Sequence, residues 1–170
     1  PRARQLASVL NNAGFSIELT DRIDAVIWTK FVLNCAVNPI CALTGCRTGE
    51  IGLSPTGRQF QSFILDEIFQ LLQAKKIEPT DSDLRATIDG FSGRLFNKPS
   101  MLQHMENGLE TEIDSLNGAA VREAASLGLR FPYNEALTLL IKTRNYHVIK
   151  ILEEPAIDYE ALEAAALSPR

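Results

Sequence analysis

The sequence predicts an all-α fold, a helical bundle around one central buried helix. Three observations carry that expectation. The stretch WTKFVLNCAVNPICALTG, Trp28 to Gly45, is apolar on almost every side, as the middle helix of a bundle must be. Later segments place apolar residues at helical spacing, most plainly Phe60, Phe63, Ile64, Ile68 and Leu71 after the start signal Ser54-Pro55. Apart from Ser16 to Leu19, no run reads as a strand.

Composition bounds the rest. Of 170 residues, 45% are apolar and 22% charged, so the chain can bury one good core and fold without staples. A net charge of -4 gives no basic footprint and argues against nucleic acid as a partner. Cys35, Cys41 and Cys46 are odd in number and unpaired in spacing, which suits reduced, packed thiols in a cytoplasmic protein. Lys30, Asn34 and Asn38 interrupt the apolar stretch and no signal peptide precedes the first helix, so no membrane span is expected. The chain begins at Pro1 without a methionine and is expected to be a fragment.

In chain order, Arg2 to Asn12 reads as a helix ended by Gly14, and Ser16 to Leu19 as a short strand. Residues 1–20 therefore look like the end of a preceding α/β domain. A helical domain is expected over 21–154 and a tail over 155–170. Thr20-Asp21 offers the N-cap of the apolar helix, and Pro39 inside that helix predicts a kink or break just after Asn38. GCRTGEIGLSPTG, Gly45 to Gly57, reads as a loop because it holds four glycines and a proline. Helices are then expected from Pro55 to about Lys76, Asp83 to Leu95, Met101 to Glu106, Thr111 to Leu127 and Pro132 to Ile151.

Lys30, Asn34 and Asn38 follow one another at four-residue steps, each advancing only about 40° around a helix, so they form one polar stripe. With Ile27, Phe31 and Val32 around Lys30, the stripe is expected to be buried. Groups of this kind cost several kcal/mol to bury unpartnered, so the stripe is either a satisfied core network or the lining of a cavity. The second informative stretch is Asn97 to Gly118, where Ser100 opens a short helix and Glu112 is expected in the first turn of the next. Together the two stretches offer an ammonium, a carboxylate, a hydroxyl and two amides, a set able to bind and protonate a polyoxygenated keto acid. His104 with Glu106 and Glu110, His147, and Cys35 show no ligand or nucleophile spacing, and read as solvated or packed side chains.

The pattern resembles the C-terminal domain of the ketopantoate reductase family, whose helix carries Trp-x-Lys-x3-Asn-x3-Asn-Pro, followed later by Ser-Met-x-Gln-Asp and Thr-Glu-Ile-Asp. Trp28, Lys30, Asn34, Asn38 and Pro39 match the first; Ser100, Met101 and Gln103 the second; Thr111 to Asp114 the third. The resemblance implies a helical domain like that of 6-phosphogluconate dehydrogenase-like proteins, and a missing N-terminal Rossmann domain that holds NADPH and of which 1–20 is the remnant. It implies Lys30 as general acid and Glu112 as its orienting carboxylate, with Asn34, Asn38 and Ser100 binding the substrate, a 2-oxo acid. The implied reaction reduces 2-dehydropantoate to pantoate in pantothenate and coenzyme A biosynthesis, and a homodimer is possible. Three departures are Thr48 for the family's frequent Asn, His104 for Asp after Gln103, and Leu109 for an arginine. No GxGxxG occurs, so the chain alone is expected to be inactive. Alternatives are an oxidoreductase for another 2-oxo acid, and a non-enzymatic helical dimerisation module.

Overall fold

A computed structural model describes residues 2–81, 83–92, 94–153 and 158–167. The described residues form nine α-helices, one 3₁₀ turn and no strand. The helices are α1 (Arg2–Asn12), α2 (Ile23–Thr44), α3 (Thr48–Leu53), α4 (Pro55–Lys75), α5 (Leu84–Ser92), α6 (Ser100–Glu106), α7 (Asn117–Ser126), α8 (Pro132–Glu153) and α9 (Tyr159–Leu167), with the 3₁₀ turn at Ile113–Ser115. Helix α2 packs on α4, α6 and α8. Val32, Cys35, Ala36, Cys41 and Ala42 are fully buried there against Ile64, Ile68, Leu71, Met101, Leu137 and Ile141.

Burial of α2 is continuous only from Cys35 to Ala42, with Ala25 and Val32 buried singly before it. Ile23, Val26 and Ile27 are exposed, Ile27 by 57%, and Lys30 with them, so the lysine expected in the core stands at the surface. By length and a mean hydropathy of 1.5, α2 could cross a membrane, which the sequence reading denied it. Half of that apolar window is packed inside the domain, which is where a core helix belongs.

The expected break after Asn38 does not occur, and α2 continues to Thr44. Pro39 removes the amide that would serve the Cys35 carbonyl. Asn117 Nδ2 donates to that oxygen instead at 3.1 Å, while Gln61 Nε2 donates to Ala36 O at 3.3 Å. Asn117 Nδ2 also reaches Asn134 Oδ1 at 2.8 Å, and Asn134 Nδ2 reaches Glu67 Oε2 at 2.7 Å. The buried Glu67 carboxylate accepts the Tyr133 and Asn134 amides, both at 2.9 Å, so α4 caps the N-terminus of α8. Those amides and the helix dipole offset the cost of burying a charge.

Other boundaries differ for local reasons. Ser16 to Leu19 is no strand: the Asn11 side chain takes the Ile17 amide at 2.8 Å, which leaves no ladder to build. α2 begins at Ile23, and Thr20 Oγ1 accepts the Arg22 amide at 2.9 Å, so its side chain caps outside the helix. The glycine-rich stretch contains α3, started by Glu50 Oε2 accepting the Arg47 amide at 2.6 Å. Two of its glycines serve close packing, since a Cβ on Gly57 would lie 2.8 Å from the Ile51 carbonyl oxygen and one on Gly49 2.7 Å from the Phe96 ring, while Gly45 ends α2 at φ 76°. The helix expected from Thr111 is divided into the 3₁₀ turn and α7 by Leu116 at φ −106°, ψ −103°. Part of the tail expected over 155–170 lies outside the described residues; Tyr159–Leu167 within it is helical.

Candidate functional site

Helical periodicity puts Lys30, Asn34 and Asn38 on one face of α2, and that face forms one wall of a cleft of about 340 Å³. Exposure falls along the stripe: Lys30 is open to solvent, Asn34 is half-buried, and Asn38 is 8% exposed. Thr48 of α3, Phe91 of α5 and the segment Asn97 to Ser100 form the facing wall, with Leu33 and Val37 as the apolar part of α2.

Ser100 opens α6, and its hydroxyl donates to Glu112 Oε1 at 2.8 Å. Glu112 lies just ahead of the 3₁₀ turn, not in the first turn of a helix. It is placed from α8: Asn145 accepts the Thr111 amide at 2.8 Å and donates to Leu109 O at 2.9 Å, which clamps the approach to Glu112. Glu112 Oε2 lies 3.2 Å from His104 Nδ1.

The structure thus brings Lys30, Asn34, Asn38 and Ser100 around one cleft and joins Glu112 to it through Ser100. A direct Lys30–Glu112 contact is not formed; among the described residues no carboxylate oxygen lies within 4.0 Å of the lysine Nζ. Sequence reasoning missed Asn97 and Lys98, which also line the cleft. Lys98 Nζ binds both oxygens of Glu106 at 2.8 Å, and Asn97 O accepts the Thr48 amide at 3.3 Å. The Asn-Lys-Pro-Ser run was their only signal, and a loop has no periodicity from which to assign a face.

Cleft volume does not single this place out, because another of about 360 Å³ lies between Glu110, Thr111 and α8. Residue types alone do not either, since that second cleft carries Thr111, Lys142, Asn145 and Lys150; the α2 cleft is distinguished by gathering Lys30, Asn34, Asn38 and Ser100, the residues of the sequence pattern. A side-chain ammonium at the mouth can meet charge developing on a carbonyl oxygen, and two amides in file can hold hydroxyl or carboxylate groups behind it.

Comparison with known proteins bears on what that set is for. The family profile described as "Ketopantoate reductase PanE/ApbA C terminal" matches residues 22–145. The chain belongs to the ketopantoate reductase family. Among similar ketopantoate reductases, the 2-dehydropantoate 2-reductase of Archaeoglobus fulgidus is 31% identical over 141 residues, 82% of this chain and 47% of that protein. The 2-dehydropantoate 2-reductase of Vibrio cholerae is 32% identical over 139 residues, 81% of this chain and 47% of the relative. This family chain therefore spans about half the length of the relatives it matches. Among solved structures, a PanE/ApbA family ketopantoate reductase from Ralstonia eutropha superposes with a TM-score of 0.81 at 27% identity, covering 85% of this chain and 49% of that one. D-mandelate dehydrogenase, solved with NADH and anilino(oxo)acetate, superposes with a TM-score of 0.75 at 26% identity over 86% of this chain and 49% of that one.

Proposed function

We propose that this chain is the substrate-binding and catalytic half of an NADPH-dependent ketopantoate reductase that reduces 2-dehydropantoate to pantoate. The observation that carries the reading is the convergence of Lys30, Asn34 and Asn38 with Ser100 on one cleft. Lys30 donates a proton to the carbonyl oxygen as negative charge develops there. Asn34 and Asn38 bind the substrate's hydroxyl and carboxylate groups deeper in the cleft, and Ser100, held by Glu112, completes the grip. Glu112 also orients Lys30 once a substrate bridges the two.

A nicotinamide, when bound, supplies the hydride. No GxGxxG phosphate loop occurs in this chain, so the nucleotide is assigned to a Rossmann domain N-terminal to it. Exposed Ile23, Val26 and Ile27 on the stretch of α2 that leads to Lys30, with exposed Leu6, Val9 and Phe15 before it in the chain, support that assignment, being apolar surface for another domain to cover. Three free cysteines, two of them buried, suit a cytoplasmic protein in pantothenate biosynthesis. A homodimer is part of the proposal, with exposed Leu139, Leu140 and Tyr146 of α8 as its candidate face.

One observation favours a second substrate class. Leu33, Val37 and Phe91 give the cleft an apolar flank, and D-mandelate dehydrogenase, solved with anilino(oxo)acetate, shares the fold. A 2-oxo acid with a bulky apolar substituent fits that flank. The deciding experiment is turnover by the protein carrying both halves, on 2-dehydropantoate and on an aryl 2-oxo acid, with NADPH and with NADH. Lys30→Ala is expected to lower turnover by roughly 10²- to 10⁴-fold, the range for a lost general acid. A change in KM alone would remove Lys30 from that role.

A further inference from the structure

The departure from the family pattern at His104 acquires a use in the structure. Both oxygens of Glu112 face a possible donor: Oε1 accepts the Ser100 hydroxyl at 2.8 Å, and Oε2 lies 3.2 Å from His104 Nδ1. Nδ1 and Oε2 are each shielded from solvent, and neither makes a hydrogen bond of good geometry among the described residues, each other included. A bare Nδ1 would set lone pairs against lone pairs across 3.2 Å, with no water to separate them. A proton on Nδ1 satisfies both atoms, and a small turn of the half-exposed imidazole aligns the bond. The neighbouring Lys98 does not compete for Glu112, because its ammonium already binds Glu106 through both oxygens.

We propose that His104 is a positioning residue, which holds Glu112 through Nδ1–H so that the carboxylate takes the Ser100 proton and Ser100 turns its lone pairs toward the cleft. Ser100 then accepts from a substrate hydroxyl and is a poor host for a carboxylate oxygen. An ionised aspartate in place of His104 could not donate to Glu112, so the substitution changes the hydrogen-bond polarity of this corner. The role rests on the reading of the cleft as the substrate site.

Two measurements test it separately. On this chain, ¹⁵N NMR at a pH of about 8.5, where an ordinary imidazole is neutral, reads the tautomer directly; the chain has 2 histidines, and His147→Gln leaves one signal set. The expected result is the Nδ1–H form of His104, reverting to the common Nε2–H form in Glu112→Leu. An Nε2–H form in the parent chain, or no response to Glu112→Leu, overturns the proposal.

In the protein carrying both halves, His104→Leu is expected to raise KM for a hydroxylated 2-oxo acid roughly tenfold with a smaller change in kcat, as for a lost bond to a charged group. His104→Asn, whose amide nitrogen stands near the place of Nδ1, recovers most of that loss. In a Glu112→Leu background, His104→Leu adds nothing, since the two act as one unit. If Glu112→Leu changes neither constant, the substrate-site reading fails and this role with it. If Glu112→Leu impairs the enzyme while His104→Leu does not, or the two effects add, the positioning role alone is overturned.

Discussion

Lys30 stands at the exposed end of the polar stripe and Asn38 at the buried end, and this gradient separates what each can do. In the roles proposed above, Lys30 at the surface is free to follow developing charge, whereas Asn38 holds a substrate group equally in ground and transition states. Asn38→Ala is therefore expected to raise KM with kcat little changed in steady-state assays, the reverse of Lys30→Ala. The thiols give a second prediction. Burial pushes the Cys35 thiol far above its ordinary range, and burial followed by the nearby Cys46 pushes Cys41 from 9.0 up to about 12. Iodoacetamide at pH 8 should label neither in the native chain and both in urea, as mass spectrometry would show. These folded values lie above the unfolded one, so the stability they contribute is present below about pH 9 and is lost as pH rises toward 12; the urea midpoint should fall over that window. At this scale the sequence revealed the members of the cleft that share a helical period, Lys30, Asn34 and Asn38. It did not reveal that Glu112 meets Ser100 and not Lys30, because that depends on how Asn145 of α8 clamps a loop 34 residues away in sequence.

Helix α2 shows how an element tolerates a residue that ought to break it. The Cys35 carbonyl lost its partner to Pro39 and regained one from Asn117, which is fully buried. Asn117→Ala strands that carbonyl and the acceptor Oδ1 of Asn134, and is expected to cost about 1–3 kcal/mol in denaturant unfolding. Pro39→Ala restores an amide for Cys35 O, so the Asn117→Ala cost should shrink in that background, a coupling that a double-mutant cycle measures. Glu67→Ala strips the α8 N-terminus of its cap and should cost a further, comparable amount. Long helices were legible because their apolar periodicity outruns local noise, as α4 and α8 show. α3 was not, because its glycines signal a loop until the packing against α4 and Phe96 is known. The strand expected at Ser16 to Leu19 failed for the complementary reason: its β-type composition counts only when a neighbouring strand is there to pair with.

At the scale of the whole molecule, the core of α2, α4, α6, α7 and α8 is made within the chain, so the chain is expected to fold alone. Circular dichroism should show a helical protein with one cooperative melt, while calorimetric titration with NADPH should show no binding; micromolar binding would mean that the nucleotide site has been misplaced. The same architecture fixes how Lys30 is carried. α2 is held at Cys35 and Ala36 by the Asn117 and Gln61 amides, and at Thr29 by the Thr80 amide, which donates to Thr29 Oγ1 at 3.0 Å, so Lys30 sits between two anchors. At 1.5 Å per residue the lysine backbone stands about 8 Å from the Cys35 and Ala36 anchor, so a tilt of about 8° there swings it by about 1 Å. An error of that size at a reacting atom can cost about 10²-fold in rate. The role proposed for Lys30 then makes Asn117 and Thr80, neither of which lines the cleft, sighting points for it as well as supports.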